Sequence, residues 1–219
     1  LAWKLSQSVW TNPLYIAPGN PGTAKYGVNV NLDLSNFDAI AKFCLYEKIE
    51  VLFVGPEEPL VNGLYDYFKS REDLKEIYFV GPSKAGAQLE GSKAFAKAFM
   101  KRHNIPTAGY KEFTLENYDE GIKYLEAQPL PIVLKADGLA AGKGVIICQN
   151  HLEAVAEFEL MLQSAKFGDA GKKVVVEDFL TGIELSVFVL TDGKNYLMLP
   201  EAKDYKRIGV GDSGLMTGG

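Results

Sequence analysis

Residues 135–145 combine lysine and glycine in a pattern that suits the binding of phosphate groups. The segment reads Lys-Ala-Asp-Gly-Leu-Ala-Ala-Gly-Lys-Gly-Val and follows a short apolar run. Glycine lets backbone N–H groups turn toward phosphate oxygens without a Cβ in the way, and lysine adds a positive charge. We therefore predict a glycine-rich flap that grips the phosphates of ATP, and its candidate residues are Lys135, Gly138, Gly142, Lys143 and Gly144.

The spacing of the glycines distinguishes this flap from a P-loop. A Walker-type loop has four residues between its glycines, a Ser or Thr after its lysine, and then a helix. Here three residues separate Gly138 from Gly142, Gly144 follows Lys143, and residues 144–148 have the composition of a strand. The pattern predicts a hairpin. Taken alone, it is equally compatible with a plain glycine hairpin that carries two solvated lysines.

A second segment, residues 176–186, is a candidate for binding the rest of the nucleotide. It predicts a strand that ends, turns at Gly182 and returns through Glu184. Backbone groups at Asp178–Leu180 could pair with the amino group and a ring nitrogen of adenine, and a carboxylate could bind the ribose hydroxyls. Glu184 is the ribose candidate. The alternative for this residue is a charge on the solvated face of an edge strand.

Helix and strand signals alternate along residues 1–90, which predicts a doubly wound parallel α/β sheet. We expect a helix at 1–8, a strand at 14–17, an amphipathic helix at 36–48 with Ser35 as its N-cap, a buried parallel strand at 51–54, a helical stretch to about Lys69, and a strand at 77–80. Ligands bind beyond the carboxyl ends of such strands. Glu57 and Glu58 follow one of these ends, so they are substrate candidates, although an ordinary strand-ending turn explains them equally well.

Residues 91–219 predict a second, α+β domain with largely antiparallel strands. A helical stretch at 84–103 with a break at Gly91 leads into it. We expect strands at 109–113, 132–135, 144–148, 173–178, 183–190 and 196–199, and helices at 116–127 and 152–164. Within this domain we assign residues 113–180 to a flap subdomain and residues 181–219 to the start of a larger, truncated subdomain.

Composition excludes several classes of protein. The net charge of −5 provides no field for a polyanionic nucleic acid. Apolar runs are strand-sized, so we expect no membrane partner. Cys44 and Cys148 lie far apart in apolar surroundings, which favours reduced, buried thiols in a cytoplasmic protein. The chain begins without Met, which suggests that its beginning is missing.

Several stretches of the sequence match one known family in order along the whole chain. The sequence resembles the phosphoribosylamine–glycine ligases (glycinamide ribonucleotide synthetases) of the ATP-grasp superfamily. The resemblance rests on residues 17–23, 55–60, 88–97, 135–145, 177–184, 204–209 and 217–219. It implies a Rossmann-like, pre-ATP-grasp domain at 1–90 and an incomplete ATP-grasp domain at 91–219.

The resemblance also implies an activity and the residues that perform it. ATP would phosphorylate glycine, and the amine of 5-phosphoribosylamine would attack the glycyl phosphate in purine biosynthesis, with Mg²⁺ or Mn²⁺ as cofactor and a monomeric, cytoplasmic enzyme. Lys135 and Arg207 would be catalytic. The implied ATP-binding residues are Lys93, Lys135, Gly138, Gly142, Lys143, Gly144, Glu177, Asp178, Phe179, Leu180 and Glu184. The implied substrate-binding residues are Glu57, Asp204, Lys206, Arg207, Asp212 and Gly214.

Three departures from the family limit this expectation. The family's first strand and its glycine-rich turn would precede Leu1. Its metal ligands would follow Gly219, so we expect no metal ligand within the chain. A polypeptide of these residues alone should therefore be inactive. Met216 stands where the family usually has Asn, which removes hydrogen-bonding capacity. Another ATP-grasp carboxylate ligase, or a non-catalytic nucleotide-binding module, remains an alternative.

Overall fold

The computed structural model describes residues 1–11, 13–138, 144–163, 172–205, 207–211 and 213–216. The chain folds as an N-terminal unit, Leu1–Gly91, and a C-terminal unit, Ser92–Gly219, each with its own internal packing. In the described part of the chain, no helix is both long and apolar enough to cross a membrane.

Parallel strand pairs and helices form the N-terminal unit. Its elements are α1 (Ala2–Leu5), β1 (Tyr15–Ile16), β2 (Val28–Asn29), α2 (Phe37–Tyr46), β3 (Val51–Phe53), α3 (Glu57–Val61), α4 (Leu64–Ser70), β4 (Tyr78–Val80) and α5 (Lys84–Gly91). Strand β1 pairs in parallel with β2, and β3 pairs in parallel with β4. The buried core consists of Ile40, Ala41, Cys44, Leu64, Phe68, Leu74 and Ile77.

Helix α2 supplies one face of this core, and its start corrects a prediction. The N-cap is Asn36, whose side chain accepts a hydrogen bond from the Ala39 N–H at 3.0 Å. Ser35, the predicted cap, instead donates its hydroxyl to Asp33. The cap lies one residue later because Asp33 offers Ser35 a closer local partner than the helix does. On the buried face of α2, desolvation raises the pKa of Cys44 to about 11, which keeps the thiol protonated.

Two further predictions for this unit were wrong in detail. The segment at 51–54 was expected to be buried, yet Val51 and Phe53 are 56% and 44% exposed, and Leu52 packs against the core. Among the described residues, the core therefore covers the face of β3 that carries Leu52, and the face that carries Val51 and Phe53 is exposed. The helical stretch to Lys69 is split into α3 and α4 at Gly63, where a φ of 98° favours glycine.

A four-stranded antiparallel sheet organises the C-terminal unit, as the α+β prediction required. Its strand order is β5-β8-β6-β7. The elements are α6 (Lys93–Arg102), β5 (Tyr110–Thr114), α7 (Tyr118–Ala127), β6 (Ile132–Ala136), β7 (Val145–Cys148), α8 (His151–Gln163), β8 (Lys173–Asp178), β9 (Leu185–Ser186), β10 (Val189–Thr191), β11 (Tyr196–Met198), β12 (Ala202–Lys203), β13 (Arg207–Gly209) and β14 (Ser213–Met216). The predicted break near Gly91 is confirmed, since α5 ends there and α6 begins after Ser92.

The two faces of this sheet differ in chemistry. Side chains alternate along each strand, and one face packs with α7 and α8 around a core of Phe113, Leu125, Ile132, Leu134, Cys148, Ala154, Phe158, Met161, Leu162, Val174 and Val176. The opposite face carries the charged side chains of Glu112, Lys135, Lys173 and Glu177, as the strand register requires. The site described below is built on this charged face.

After β8 the chain forms short antiparallel ladders instead of the single strand predicted at 183–190. Strand β9 pairs with β12, whereas β10 pairs with β11. The turn between β10 and β11 is fixed by Asp192, which accepts N–H bonds from Asn195 and Lys194 at 2.6 and 2.8 Å. These bonds stabilise the carboxylate and lower the pKa of Asp192 to about 2. The segment breaks because each half has a different pairing partner.

Candidate functional site

The buried charged side chains among the described residues are Lys97 and Glu177, which are 5% and 7% exposed. Lys97 lies on α6 and Glu177 on β8, and their Nζ and Oε2 atoms are 3.0 Å apart. The Nζ atom of Lys135, on β6, lies 2.9 Å from the same Oε2. Two ammonium groups from different elements therefore share one carboxylate oxygen.

Lys97 is held in place by groups other than Glu177. Its Nζ donates to Thr107 Oγ1 at 2.7 Å and to the Ala108 carbonyl at 3.2 Å, and it lies 5.5 Å from the centroid of the Tyr110 ring. Tyr110 is opposite Glu177 in the β5–β8 register, so both side chains share a face. A buried ammonium is tolerated only when it is paired and hydrogen-bonded, and here it has two hydrogen-bond acceptors and one carboxylate partner.

Lys135 occupies the outer side of the same cluster. Val133 is opposite Glu177 in the β6–β8 register, and Lys135 follows two residues later on the same face. Its side chain is 29% exposed, in contrast to the two buried partners. Two ammonium groups against one carboxylate leave one excess positive charge, and Lys135 is the member of the cluster that solvent reaches.

Asp137 ties the end of β6 to the beginning of α6. The Ser92 hydroxyl contacts both carboxylate oxygens of Asp137, at 3.1 and 3.2 Å, and the Ala94 N–H donates to Oδ1 at 3.1 Å. Ser92 itself caps α6 by accepting the Phe95 N–H at 3.1 Å. Asp137 therefore acts as a second cap for this helix from a distant part of the chain.

Through this connection, Lys93 and Lys135, two of the lysines predicted to bind ATP, flank the start of the flap at Gly138. Lys93 Nζ donates to the Gly138 carbonyl at 2.8 Å. Gly138 has a φ of 100°, a left-handed conformation that glycine adopts readily, and the chain closes below it through the Ala136 N–H and the Gly144 carbonyl at 2.8 Å. Lysines from a helix start and from a strand end thus lie beside one glycine-rich loop, an arrangement suited to a polyphosphate.

The predicted adenine segment begins at the last residue of β8, Asp178, and leaves the sheet after it. The Asp178 N–H donates to the Gly109 carbonyl at 3.0 Å, so this donor is already used within the protein. Phe179 and Leu180 are exposed, and a β-carbon built on Gly182, whose φ is 148°, would meet no described heavy atom within 4 Å. The binding of adenine by the backbone of residues 178–180 stays a prediction, and the Asp178 N–H is not available for it in this structure.

Two predicted binding residues meet in the ladder after this segment. The Asp204 N–H donates to the Glu184 carbonyl at 3.2 Å, because Glu184 precedes β9 and Asp204 follows its partner β12. The residue predicted to bind the ribose, Glu184, and a residue predicted to bind substrate, Asp204, are therefore neighbours. Sequence reasoning had assigned them to separate constellations.

Of the other predicted site residues, some lie in described elements and others lie outside the described ranges. Arg207 begins β13 opposite Met216, and Gly214 in β14 has a φ of 81°. Glu57 is exposed at the start of α3 in the N-terminal unit. Four predicted residues lie outside the described ranges: Gly142, Lys143, Lys206 and Asp212.

Lys97 is the functional candidate that sequence reasoning missed. The available signal was its position four residues after Lys93 on the same helix, between apolar residues that suggest burial. Within the described ranges, no group of three or more His, Cys, Asp or Glu side chains could hold a metal ion.

Comparison with known proteins identifies the family. The family model for the phosphoribosylglycinamide synthetase N domain matches residues 1–90, and the model for its ATP-grasp (A) domain matches residues 91–219. The chain belongs to the phosphoribosylglycinamide synthetase family. The predicted resemblance is thereby confirmed, as is the α/β fold class with an ATP-grasp domain.

Relatives of this chain are longer. The phosphoribosylamine–glycine ligase of Haemophilus influenzae is 48% identical over 221 residues, which cover 100% of this chain and 50% of that protein. The crystal structure of phosphoribosylamine–glycine ligase from Thermotoga maritima has a TM-score of 0.76 and 31% identity, and it matches 99% of this chain and 50% of that one. The chain thus spans about half the length of the relatives it matches.

A more distant solved structure shares the fold. The biotin carboxylase domain of 2-oxoglutarate carboxylase from Hydrogenobacter thermophilus, crystallised with MgADP, ADP and bicarbonate, has a TM-score of 0.61 and 25% identity. The match covers 84% of this chain and 42% of that one.

Proposed function

We propose that this chain is the ATP-binding half of a ligase that joins glycine to 5-phosphoribosylamine, giving glycinamide ribonucleotide, ADP and phosphate in purine biosynthesis. The observation that carries the proposal is the contact of Lys93 with the Gly138 carbonyl, close in sequence after Lys135, in a chain that matches both domains of one ligase family. The relatives that share the sequence are named for this activity.

ATP would lie against the charged face of the sheet, with its phosphates at the flap. Lys93, Lys135 and the glycines of residues 138–144 would hold the phosphates, the backbone of residues 178–180 would hold adenine, and Glu184 would hold the ribose. The excess positive charge beside Glu177 would attract the negatively charged phosphates. Because the cluster is largely shielded from solvent, this attraction would be stronger than in water.

The reaction consists of a phosphoryl transfer followed by an acyl transfer. A glycine carboxylate oxygen attacks the γ-phosphorus of ATP, the bond to the bridging oxygen breaks, and ADP leaves. The amine nitrogen of phosphoribosylamine then attacks the acyl carbon of glycyl phosphate, loses a proton and expels phosphate. The acyl phosphate is open to hydrolysis, so a closing flap would protect it from water. Lys135 and Arg207 are our proposed catalytic residues.

Glycine and the phosphoribosyl group need binding residues of their own. We assign Glu57, Asp204, Lys206, Arg207, Asp212 and Gly214 to these two substrates. The proximity of Asp204 to Glu184 supports this placement, because the γ-phosphate and glycine must meet near the nucleotide. The described residues do not fit a Mg²⁺ or Mn²⁺ site, so a metal would need ligands from elsewhere in the protein.

Two further features of the proposal concern the protein in the cell. We propose a cytoplasmic, monomeric enzyme. The thiols of Cys44 and Cys148 are buried and reduced, which supports a reducing compartment.

The test is ADP release by the protein from the complete reading frame that contains this chain. ADP formation should require glycine and phosphoribosylamine together, and labelled glycine should enter the ribonucleotide product. Lys135→Ala should raise KM for ATP by roughly 10- to 100-fold, since a charged hydrogen bond is lost. Turnover with another carboxylate and not with glycine would assign a different ATP-grasp ligase, and absence of turnover with retained ATP binding would indicate a non-catalytic module.

A further inference from the structure

Lys97 has no role in the proposed function, yet it is buried and charged. Isolated buried charges are costly, and a buried ion pair adds little stability compared with apolar residues of the same size. An apolar side chain on α6 would fill this position more simply. The contacts of Lys97 indicate what the charge does.

Lys135 has two competing partners once a nucleotide binds. In this structure it contacts Glu177, which is itself buried. If Lys135 turned toward a phosphate or the adenine ring, a Glu177 carboxylate with no other cation would be left buried and unpaired. The protein would then resist the movement that the ligand requires.

Lys97 removes this conflict because it cannot follow Lys135. Its Nζ is held by Thr107 and the Ala108 carbonyl while it contacts Glu177 Oε2, the same oxygen that Lys135 contacts. When Lys135 departs, Glu177 keeps one full cationic partner. The two lysines also differ in exposure as this role requires: the Lys135 side chain is 29% exposed, whereas that of Lys97 is 7% exposed.

We propose that Lys97 is a positioning residue that keeps Glu177 neutralised and thereby frees Lys135 to bind the nucleotide. The inference rests on the proposed ATP site and deepens it. It assigns Lys97 to the affinity for ATP and not to the chemistry on glycine or the amine.

The first test measures nucleotide binding by calorimetry, with ATP as the probe and the protein from the complete reading frame. Lys97→Met should weaken ATP binding by about tenfold or more, because Lys135 then remains as the main partner of a buried carboxylate. The KM for ATP should rise while the KM for glycine stays near that of wild type. Lys97→Arg should recover part of the loss. Lys101→Met, at an exposed position of the same helix, is the matched control and should bind ATP normally.

The second test adds Glu177→Gln and a readout that needs no nucleotide. In urea unfolding, Lys97→Met and Glu177→Gln should couple, which verifies the contact itself. In ATP binding, the double variant should bind more tightly than Lys97→Met alone, since no buried anion remains to hold Lys135.

The outcomes separate the two proposals. If wild type binds ATP and Lys97→Met binds equally well, or if adding Glu177→Gln to Lys97→Met restores stability without restoring affinity, the positioning role is overturned and Lys97 is structural. If wild type does not bind ATP, the proposed ATP site fails, and this inference fails with it.

Discussion

Asp137 shows how one side chain can position two others. Its carboxylate receives the Ser92 hydroxyl and the Ala94 N–H, which flank Lys93, and it lies two residues after Lys135. A capping bond from a distant strand fixes both where the helix begins and where the flap starts. The lysines are therefore placed by a residue that needs no contact with ligand.

We expect Asp137→Ala to destabilise the protein by about 1 kcal/mol, the usual cost of losing a cap. It should also weaken ATP binding, because the start of α6 and the flap root are no longer joined. Asp137→Asn is the matched variant: it keeps an oxygen that can accept the Ala94 N–H, so its loss should be smaller. Urea unfolding and ATP titration check both effects. Equal behaviour of the Ala and Asn variants would contradict the capping role.

At the scale of elements, the contact between α7 and α8 sets how closely the helices approach the sheet. Gly121 of α7 faces Phe158 of α8, and a β-carbon built on Gly121 would lie 2.5 Å from Phe158 Cζ and 3.2 Å from Phe113 Cδ1. Both phenylalanines are fully buried. The glycine is thus required by packing against the face of the sheet opposite the charged site.

Gly121→Ala should therefore destabilise the protein, although alanine is the better helix former by about 1 kcal/mol. Overpacking of a full core costs about 1–3 kcal/mol, which outweighs the gain in helix propensity. Urea unfolding measures the difference. Adding Phe158→Leu to Gly121→Ala should cost less than the sum of the two single changes, because the smaller side chain makes room. A gain in stability for Gly121→Ala would show that the helix can shift freely.

At the scale of the whole molecule, the ladders after β8 leave many apolar side chains exposed. Both members of the cross-strand pair Leu190 and Leu197 are at least half exposed, as are Val189 and Met198 beside them. Side chains alternate between the two faces of a ladder, so apolar residues are exposed on both faces, which is typical of a surface that another part of a protein covers. Since the relatives are about twice as long, we expect this surface to be covered by the rest of the complete protein.

The 219-residue chain alone should accordingly bind the dye ANS more strongly than the complete protein does. Replacing both Leu190 and Leu197 with Thr should lower dye fluorescence while the strands persist, since Thr favours β-structure. Leu160→Gln removes a single exposed leucine from α8 and should change little. Fluorescence that is equal for the two lengths of protein would refute the idea that this surface is covered.

Local chemistry explains the features of this protein that could be predicted. The glycine at position 138, the break after Gly91, and the alternation of helices and strands follow from residue type and short spacing. They could be predicted because glycine conformation, helix periodicity and charge act within a few residues. The same holds for the family resemblance, which depends on the order of short motifs.

Tertiary structure alone decided which groups meet. The pairing of Lys97 and Lys135 on Glu177 joins α6, β6 and β8, and the division of residues 183–190 depends on partners elsewhere in the chain. The exposed face of β3 likewise depends on what packs against it in the fold. The sequence by itself supplied the lysines and glycines that we propose bind phosphate. Only folding brought Lys97 to Glu177 beside Lys135. Strand register and helix docking arise from contacts between residues far apart in the chain.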